Sequence, residues 1–230
     1  MNSEKDSNLG IKLWNEIHGQ STWVSDFDFP SPNAQAFVQY HLPQVNGGES
    51  KVQLLDLGCG TGAATVFFAQ MGYKVCGLDA SSIALDKAKA RANQEGVRIQ
   101  FELSDFRKLP FPDNNFDAVY SESVLYYGAK CDFEAGVQEV YRVLKPSGVA
   151  RIYTKTIRDV WAQEGEPLGE NTFRVASETW ERGLMIYCAT LDEIKQSFAK
   201  FTDLLVGIKE FNYIELNRLH SFWVITCRKP

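Results

Sequence analysis

Short apolar runs alternate with helix-like patterns through the middle of this chain. Residues 132–144, for example, place Phe133, Val137, Val140 and Leu144 on one helical face. Alternation of this kind is typical of parallel strands joined by helices that cover both faces of a sheet. The five predicted strands are VQLLDL (52–57), YKVCGLD (73–79), VRIQFEL (97–103), FDAVYSE (116–122) and GVARIYT (148–154).

Two further apolar runs lie near the end of the chain, LLVGIKEFNYIEL (204–216) and LHSFWVITCRK (219–229). Only a few residues around Asn217 and Arg218 separate them, which predicts an antiparallel hairpin. Helix starts are predicted at Ser81 or Ser82 and at the capping box that begins at Thr190. The pattern therefore predicts an α/β fold with a doubly wound, seven-stranded sheet whose last strand is antiparallel.

Composition narrows the classes of protein. The 230 residues are 44% hydrophobic and 23% charged, which is ordinary globular usage for one domain. A net charge of −5 without a dense run of lysine and arginine argues against a nucleic-acid partner. The chain lacks the ~18 consecutive apolar residues of a membrane span, and its first ten residues lack a signal-peptide core. We therefore expect a cytoplasmic protein without a membrane partner, and a homodimer is compatible with this composition.

Cysteine and histidine give no sign of a structural cross-link or a metal. The five cysteines are scattered and never form a C-x-x-C pair, so neither a disulfide framework nor a zinc site is expected. His18, His41 and His220 lie far apart and lack neighbouring ligands at metal-binding spacing. We expect chemistry without a metal.

The most informative segment is LLDLGCGTGAA, at residues 54–64. Glycines at 58, 60 and 62 follow a strand directly and precede a helix, whose free N–H groups and positive dipole end point into the turn. Glycine permits positive φ and lets a ligand touch the main chain. A nucleotide-type ligand is therefore expected at this turn.

Two ligands compete for the turn. Gly58, Gly60 and Ala63 satisfy the G-x-G-x-x-G/A pattern of a dinucleotide site. However, Asp56 would lie unfavourably close to a pyrophosphate, and a carboxylate there suits a cationic ligand better. Asp79, at the end of the second strand, can accept ribose hydroxyls in either case. The segment Ser104-Asp105-Phe106 adds an acceptor and a ring suited to adenine.

At this point the sequence resembles a known family. The motifs LLDLGCGTG, GLD, SDF at 104–106 and LPFPDNNFDAVYS resemble class I S-adenosylmethionine-dependent methyltransferases over residues 50–155. The resemblance implies a Rossmann-like seven-stranded fold, S-adenosyl-L-methionine as cofactor and S-adenosyl-L-homocysteine as product. It implies that Asp56 and the three glycines line the methionine portion, that Asp79 holds the ribose and that Asp105 with Phe106 holds the adenine. The remaining expected cofactor contacts are Cys59, Ala80, Ser104 and Ser121.

Methyl transfer requires mainly that the acceptor is held in line and that water is excluded. Residues after the fourth strand, at the carboxyl end of the sheet, are expected near the acceptor. Candidates for acid or base chemistry are His18, Glu122 and Tyr126, each of which is equally compatible with a structural role. The expected substrate contacts are Trp14, Trp23, Tyr126, Tyr127, Arg158 and Arg174. Arginine among aromatic residues suits an acidic or planar small molecule.

We expect one domain over residues 1–230. It comprises an N-terminal lid (1–48), a cofactor-binding core (50–155), a substrate cap inserted after the fifth strand (156–190), and the last helix with the hairpin (191–230). The predicted function is methylation of an oxygen or nitrogen of a small metabolite. The alternatives are a nicotinamide-dependent oxidoreductase, which Asp56 disfavours, and a non-catalytic module that binds S-adenosylmethionine.

Overall fold

A computed structural model describes residues 3–20, 30–43, 51–213 and 218–230. The helices in the described part of the chain are α1 (Ser3–Gly19), α2 (Pro32–His41), α3 (Ala63–Gln70), α4 (Ser82–Gln94), α5 (Lys130–Val143), α6 (Val160–Glu164) and α7 (Leu191–Ser197). The strands are β1 (Gln53–Leu57), β2 (Lys74–Asp79), β3 (Gln100–Leu103), β4 (Phe116–Glu122), β5 (Leu144–Lys155), β6 (Glu166–Gly169), β7 (Thr172–Arg174), β8 (Met185–Tyr187), β9 (Thr202–Tyr213) and β10 (Arg218–Arg228).

Seven strands form the main sheet in the order β3-β2-β1-β4-β5-β10-β9. The first five pair in parallel, and β10 pairs antiparallel with both β5 and β9. This arrangement confirms the predicted doubly wound sheet with an antiparallel end. The strand order reverses between β1 and β4, and ligands of open α/β sheets bind at such a switch point, outside the carboxyl ends of the strands.

Alternating side chains of the strands face two separate cores. Leu55 faces the side covered by α5 and α7, where Phe133 and Phe198 are fully buried. Leu54 faces the other side, where Phe37 of α2 and Phe68 of α3 pack. Because successive strand residues point to opposite faces, the continuous apolar run in β1 supplies both cores. The helix α2 lies within the predicted lid region, yet it covers a sheet face.

The helix starts agree with local capping chemistry. Ser81 caps α4, since its hydroxyl accepts the N–H of Ala84 at 3.1 Å. Thr190 and Glu193 form the capping box at the start of α7. Both caps were predicted from the sequence, because a hydroxyl before an amphipathic run satisfies N–H groups that the first turn leaves free.

The segment between β5 and α7 is more regular than its sequence suggests. It contains α6 and a separate antiparallel sheet in the order β6-β7-β8. This small sheet is attached to the loop after β4, because the Tyr187 N–H donates to the Tyr126 carbonyl at 2.8 Å and the Gly128 N–H to the Met185 carbonyl at 2.9 Å. The cap is thereby fixed against the carboxyl edge of the main sheet.

Candidate active site

The three glycines of the turn between β1 and α3 have two different surroundings. All three have positive φ, at +77°, +52° and +86° for Gly58, Gly60 and Gly62. A Cβ added at Gly58 would lie 2.0 Å from Val124, and one at Gly62 would lie 2.9 Å from Ala88. A Cβ at Gly60 would meet no heavy atom within 4 Å. Gly58 and Gly62 therefore allow close packing, whereas Gly60 borders open space.

Three carboxylates surround this turn. The buried Asp56 accepts the Thr65 hydroxyl at 2.5 Å. Burial raises the pKa of Asp56 to about 7 against the opposing hydrogen bond from Thr65, and the charges of Glu122 and Asp79 add to the rise. Burial also raises the pKa of Asp79. A cation in the turn would relieve the repulsion among these groups, whereas a phosphate would increase it.

Asp79 is held at the tip of β2 by the main chain. Its Oδ2 accepts the Gly60 N–H at 2.9 Å, and its Oδ1 accepts the Ser81 N–H at 2.8 Å. An ionised carboxylate has about four acceptor sites. Both oxygens of Asp79 therefore keep capacity for ligand hydroxyl groups.

At the tip of β3, Arg107 determines the orientation of Asp105. Its guanidinium forms a two-point contact with the carboxylate, including a 2.8 Å bond from Nε to Oδ1, and its backbone N–H adds a third bond at 2.9 Å. The same guanidinium lies 5.1 Å from the ring centre of Phe106, whose side chain is buried. Ser104 donates its hydroxyl to the Lys108 carbonyl at 3.2 Å. Arg107 is thus an orienting residue that the sequence did not reveal.

Two candidates on β4 are engaged within the protein. The Glu122 carboxylate accepts hydroxyls from Tyr120 at 2.5 Å and from Ser31 at 2.6 Å, and also the side-chain amide of Asn33. It therefore anchors the start of α2. Ser121 is fully buried and donates to the Leu57 carbonyl at 3.1 Å, so it joins β4 to β1 within the sheet.

A cavity of about 820 Å³ extends from the glycine turn to the cap. Most candidate residues line it, but Gly62, Ser121 and Arg158 do not. Trp23 lies outside the described residues. The candidates that line the cavity are Trp14, His18, Asp56, Gly58, Cys59, Gly60, Asp79, Ala80, Ser104, Asp105, Phe106, Glu122, Tyr126, Tyr127 and Arg174.

Helix α1 covers the cavity with aromatic side chains. Trp14 meets Tyr127 edge to face at 4.8 Å between ring centres, and it lies 5.8 Å from Trp180 of the cap. The buried His18 stacks on Trp14 at 5.5 Å, as the four-residue spacing predicts. Ser81 donates its hydroxyl to Asn15 at 2.8 Å, which ties α1 to the start of α4.

The outer end of the cavity contains ionisable groups that the sequence did not single out. Lys155 forms a buried ion pair with Asp159 at 2.7 Å. Nδ1 of His220 lies 3.7 Å from the same Asp159 carboxylate. Glu181 accepts the Tyr127 hydroxyl at 2.9 Å. Lys155 ends strand β5. Its position at the carboxyl edge of the sheet is the one sequence feature that indicates a place in the site.

The two candidate arginines differ in position. Arg158 is 60% exposed and pairs with Glu210 at 3.4 Å, outside the cavity. Arg174 lines the cavity, but it pairs with Glu166 at 3.8 Å and donates to the Gly183 carbonyl at 3.3 Å. Because both guanidinium groups have acidic partners, they do not by themselves indicate an acidic substrate.

The described residues contain neither a membrane-spanning helix nor a cluster of metal ligands. None of the helices in this part of the chain combines the length and the apolar character that a bilayer crossing needs. No group of three or more histidine, cysteine or acidic side chains is arranged there to hold a metal ion.

The fold and the site together define a class of protein. The sheet order, the antiparallel last strands, the acidic glycine turn and the carboxylate at the tip of β2 are the features of a class I methyltransferase domain. Residues 54–148 match the family model described as "Methyltransferase domain". Residues 54–148 therefore form a methyltransferase domain, and the fold of the chain is similar to that of class I S-adenosylmethionine-dependent methyltransferases.

Individual relatives support the family assignment. A sterol 24-C-methyltransferase of Aspergillus fumigatus is 31% identical over 159 residues, which are 67% of this chain and 42% of the relative. The chain thus spans about two fifths of the length of this relative. A methyltransferase structure from Methanosarcina mazei has a TM-score of 0.70 at 21% identity and covers 87% of this chain and 98% of its own.

A second solved structure is similar over the whole chain. The 1,6-didemethyltoxoflavin-N1-methyltransferase of Burkholderia thailandensis, with bound 1,6-didemethyltoxoflavin and S-adenosylhomocysteine, has a TM-score of 0.70 at 16% identity. It covers 100% of this chain and 91% of its own. At these identities, the two structural likenesses show the fold alone.

Proposed function

We propose that this protein is an enzyme that transfers a methyl group from S-adenosylmethionine to an oxygen or nitrogen of a small metabolite. The observation that carries the proposal is the single cavity of about 820 Å³ that joins the acidic glycine turn to the chamber under the cap. Its volume lies in the upper part of the usual range for small-molecule pockets, about 300–1,000 Å³. A cavity of this volume suits a small molecule beside the cofactor better than an extended protein chain.

The residues at the turn fit the cofactor. Asp56, Asp79 and Glu122 place three carboxyl groups at the turn, which suits a sulfonium. Burial raises the pKa of Asp56, and the charges of Glu122 and Asp79 add to that rise. The methionine portion of the cofactor would lie along Gly60, where the structure leaves space. The ribose would lie at Asp79. When bound, S-adenosylmethionine supplies a methyl carbon activated by a positively charged sulfur.

The protein's part in transfer is to position the acceptor and exclude water. Trp14, Tyr127 and Trp180 form the wall between α1 and the cap. Burial raises the pKa of Tyr126 and Tyr127 well above the usual value, so both hydroxyls stay protonated and act as hydrogen-bonding groups. Glu122 already accepts three donors. His18 is therefore our remaining candidate from the sequence for accepting a proton.

A second candidate function is methylation of carbon. The similarity to sterol 24-C-methyltransferases favours it. However, the part of the cavity under the cap, the outer chamber, contains the buried Lys155–Asp159 pair and the buried Glu181. A sterol skeleton offers those groups little hydrogen bonding. The oxidoreductase alternative fits poorly with the three carboxylates at the turn, and the non-catalytic alternative does not account for the chamber under the cap.

Turnover tests the proposal. Purified protein is incubated with isotope-labelled S-adenosylmethionine and fractionated small metabolites, and both S-adenosylhomocysteine and labelled products are followed by mass spectrometry. We expect labelled product in a polar fraction, with the methyl group on oxygen or nitrogen by NMR. Labelled sterol would support the second candidate. Cofactor binding without any product from any fraction would support the non-catalytic module.

A further inference from the structure

Glu181 is a buried carboxylate in the wall of the outer chamber. Its residue is only 5% exposed, and it lies in the cap between β7 and β8. Its Oε1 accepts the Tyr127 hydroxyl at 2.9 Å. Within the described part of the chain, no lysine, arginine or histidine nitrogen lies within 4 Å of this carboxylate. A buried carboxylate without a cationic partner is costly, so it suggests that a ligand supplies the positive charge.

The cations that line the same chamber are already paired with other carboxylates. The Lys155 ammonium acts electrostatically on Glu181, but it is paired with Asp159, and His220 also faces Asp159. Glu181 is therefore the carboxyl group of this chamber that these cations leave unpaired. The three pairs are Lys155 with Asp159 at 2.7 Å, Arg218 with Glu164 at 2.6 Å, and Arg174 with Glu166 at 3.8 Å.

Aromatic rings adjoin this carboxylate. Tyr127 is hydrogen-bonded to Glu181, Trp14 lies 4.8 Å from the Tyr127 ring, and Trp180 is the neighbouring residue in the cap. All of these side chains line the cavity. Faces of aromatic rings carry a negative potential and attract organic cations. Carboxylate and rings together form a surface that complements an ammonium group with an apolar substituent.

We infer that Glu181, with Trp14, Tyr127 and Trp180, binds a cationic amine group of the methyl acceptor. The inference deepens the proposed function and rests on it. It departs from the acidic substrate that Arg158 and Arg174 suggested, since both arginines are paired with glutamates. The ammonium group is a recognition group here, and the methylated atom can be another nucleophile of the same molecule.

Burial raises the pKa of Glu181. An ammonium group binds the ionised carboxylate better than the neutral acid, so amine affinity should increase as the pH rises through the Glu181 pKa. An alkylamine stays protonated to about pH 9, which leaves this range open to measurement. The other titratable or charged groups that act on Glu181 are Lys155, Tyr127, Asp159 and His220. The part of the pH dependence of amine affinity that is absent in E181Q is the contribution of Glu181.

The test uses three matched probes: 2-phenylethylamine, 2-phenylethanol and 3-phenylpropionate. Each is titrated by calorimetry into the full chain with S-adenosylhomocysteine present. The native protein should bind the amine at least about tenfold more tightly than the alcohol, and the carboxylate least tightly. In Glu181→Gln, whose amide oxygen can still accept the Tyr127 hydroxyl, the preference for the amine should disappear. Glu178→Gln, at an 82% exposed cap residue, should retain it.

Three results would overturn the inference: equal binding of amine and alcohol by the native protein, no binding of any probe, or an unchanged preference in E181Q. The pH dependence of amine binding to the native protein provides a measurement that does not rely on a variant folding. Binding of S-adenosylmethionine is measured in parallel. Normal cofactor binding without an amine preference would refute this inference alone, whereas absent cofactor binding would refute the proposed function.

Discussion

The buried Asp56 should make the free energy of unfolding depend on pH. Its carboxyl is enclosed at the end of β1 and has a pKa of about 7, against an ordinary value of 3.8. Between these two values the folded protein binds a proton that the unfolded chain has lost. The free energy of unfolding must therefore fall as the pH rises from about 4 to about 7.

The magnitude follows from that difference in pKa. Asp56 alone should lower the free energy of unfolding on the order of 2–3 kcal/mol between about pH 5 and about pH 8. For a chain of this length, such a change corresponds to a difference in Tm of roughly 5–10 °C. In Asp56→Asn, the amide oxygen can still accept the Thr65 hydroxyl and the ionisation is gone. The variant should lack this part of the pH dependence.

The assay is urea unfolding of native protein and D56N, followed by circular dichroism at several pH values. Asp86→Asn, at a side chain that is 78% exposed on α4, controls for the loss of one negative charge. We expect D56N to gain stability relative to native protein as the pH rises, while D86N parallels the native protein. Parallel curves for native protein and D56N would refute the proposed electrostatics of the turn.

Three further predictions concern the cofactor turn and the outer chamber. Asp79→Ala should lower S-adenosylmethionine affinity by about 10- to 150-fold, a hydrogen-bonding loss of about 1.5–3 kcal/mol, and unchanged calorimetric affinity would show that the ribose lies elsewhere. Gly58→Ala should lower Tm strongly because its new methyl group has no room, whereas Gly60→Ala should lose cofactor affinity with a stability cost of only about 1–2 kcal/mol. A large loss of Tm in Gly60→Ala with little change in Gly58→Ala would contradict the geometry of the turn. Lys155→Met should destabilise the protein by about 3–5 kcal/mol, because it leaves the Asp159 carboxylate buried without its partner. Adding Asp159→Asn should restore part of the lost stability. Strictly additive effects of the two substitutions in urea unfolding would contradict a coupled pair.

The sheet and the glycine turn were predictable because their signals are local. The apolar run before Gly58, the carboxylate at the end of the next strand and the hydroxyl of Ser81 each depend on a few neighbouring residues. The antiparallel hairpin followed from the short separation of two apolar runs. These features form the end of the cavity at the glycine turn, which was therefore the part that the sequence described best.

The part of the cavity under the cap was less predictable because its residues converge only in three dimensions. Glu181 and Lys155 come from the cap and from the end of β5, and no sequence pattern links them. Ion pairs within the protein also decide which charged side chains remain available to a ligand. The ion pair between Arg174 and Glu166 depends on the pairing of strands β6 and β7, which the sequence does not show. The role of Glu122 as an anchor for α2 likewise depends on Ser31, 91 positions away.

Direct titration of cofactors tests the central claim, which is that the acidic glycine turn holds a sulfonium nucleoside. S-adenosylmethionine and reduced nicotinamide dinucleotide are titrated separately by calorimetry into native protein and D79A. We predict saturable binding of S-adenosylmethionine to native protein, weaker binding to D79A, and no heat from the dinucleotide. Saturable binding of the dinucleotide with none of S-adenosylmethionine would contradict the claim.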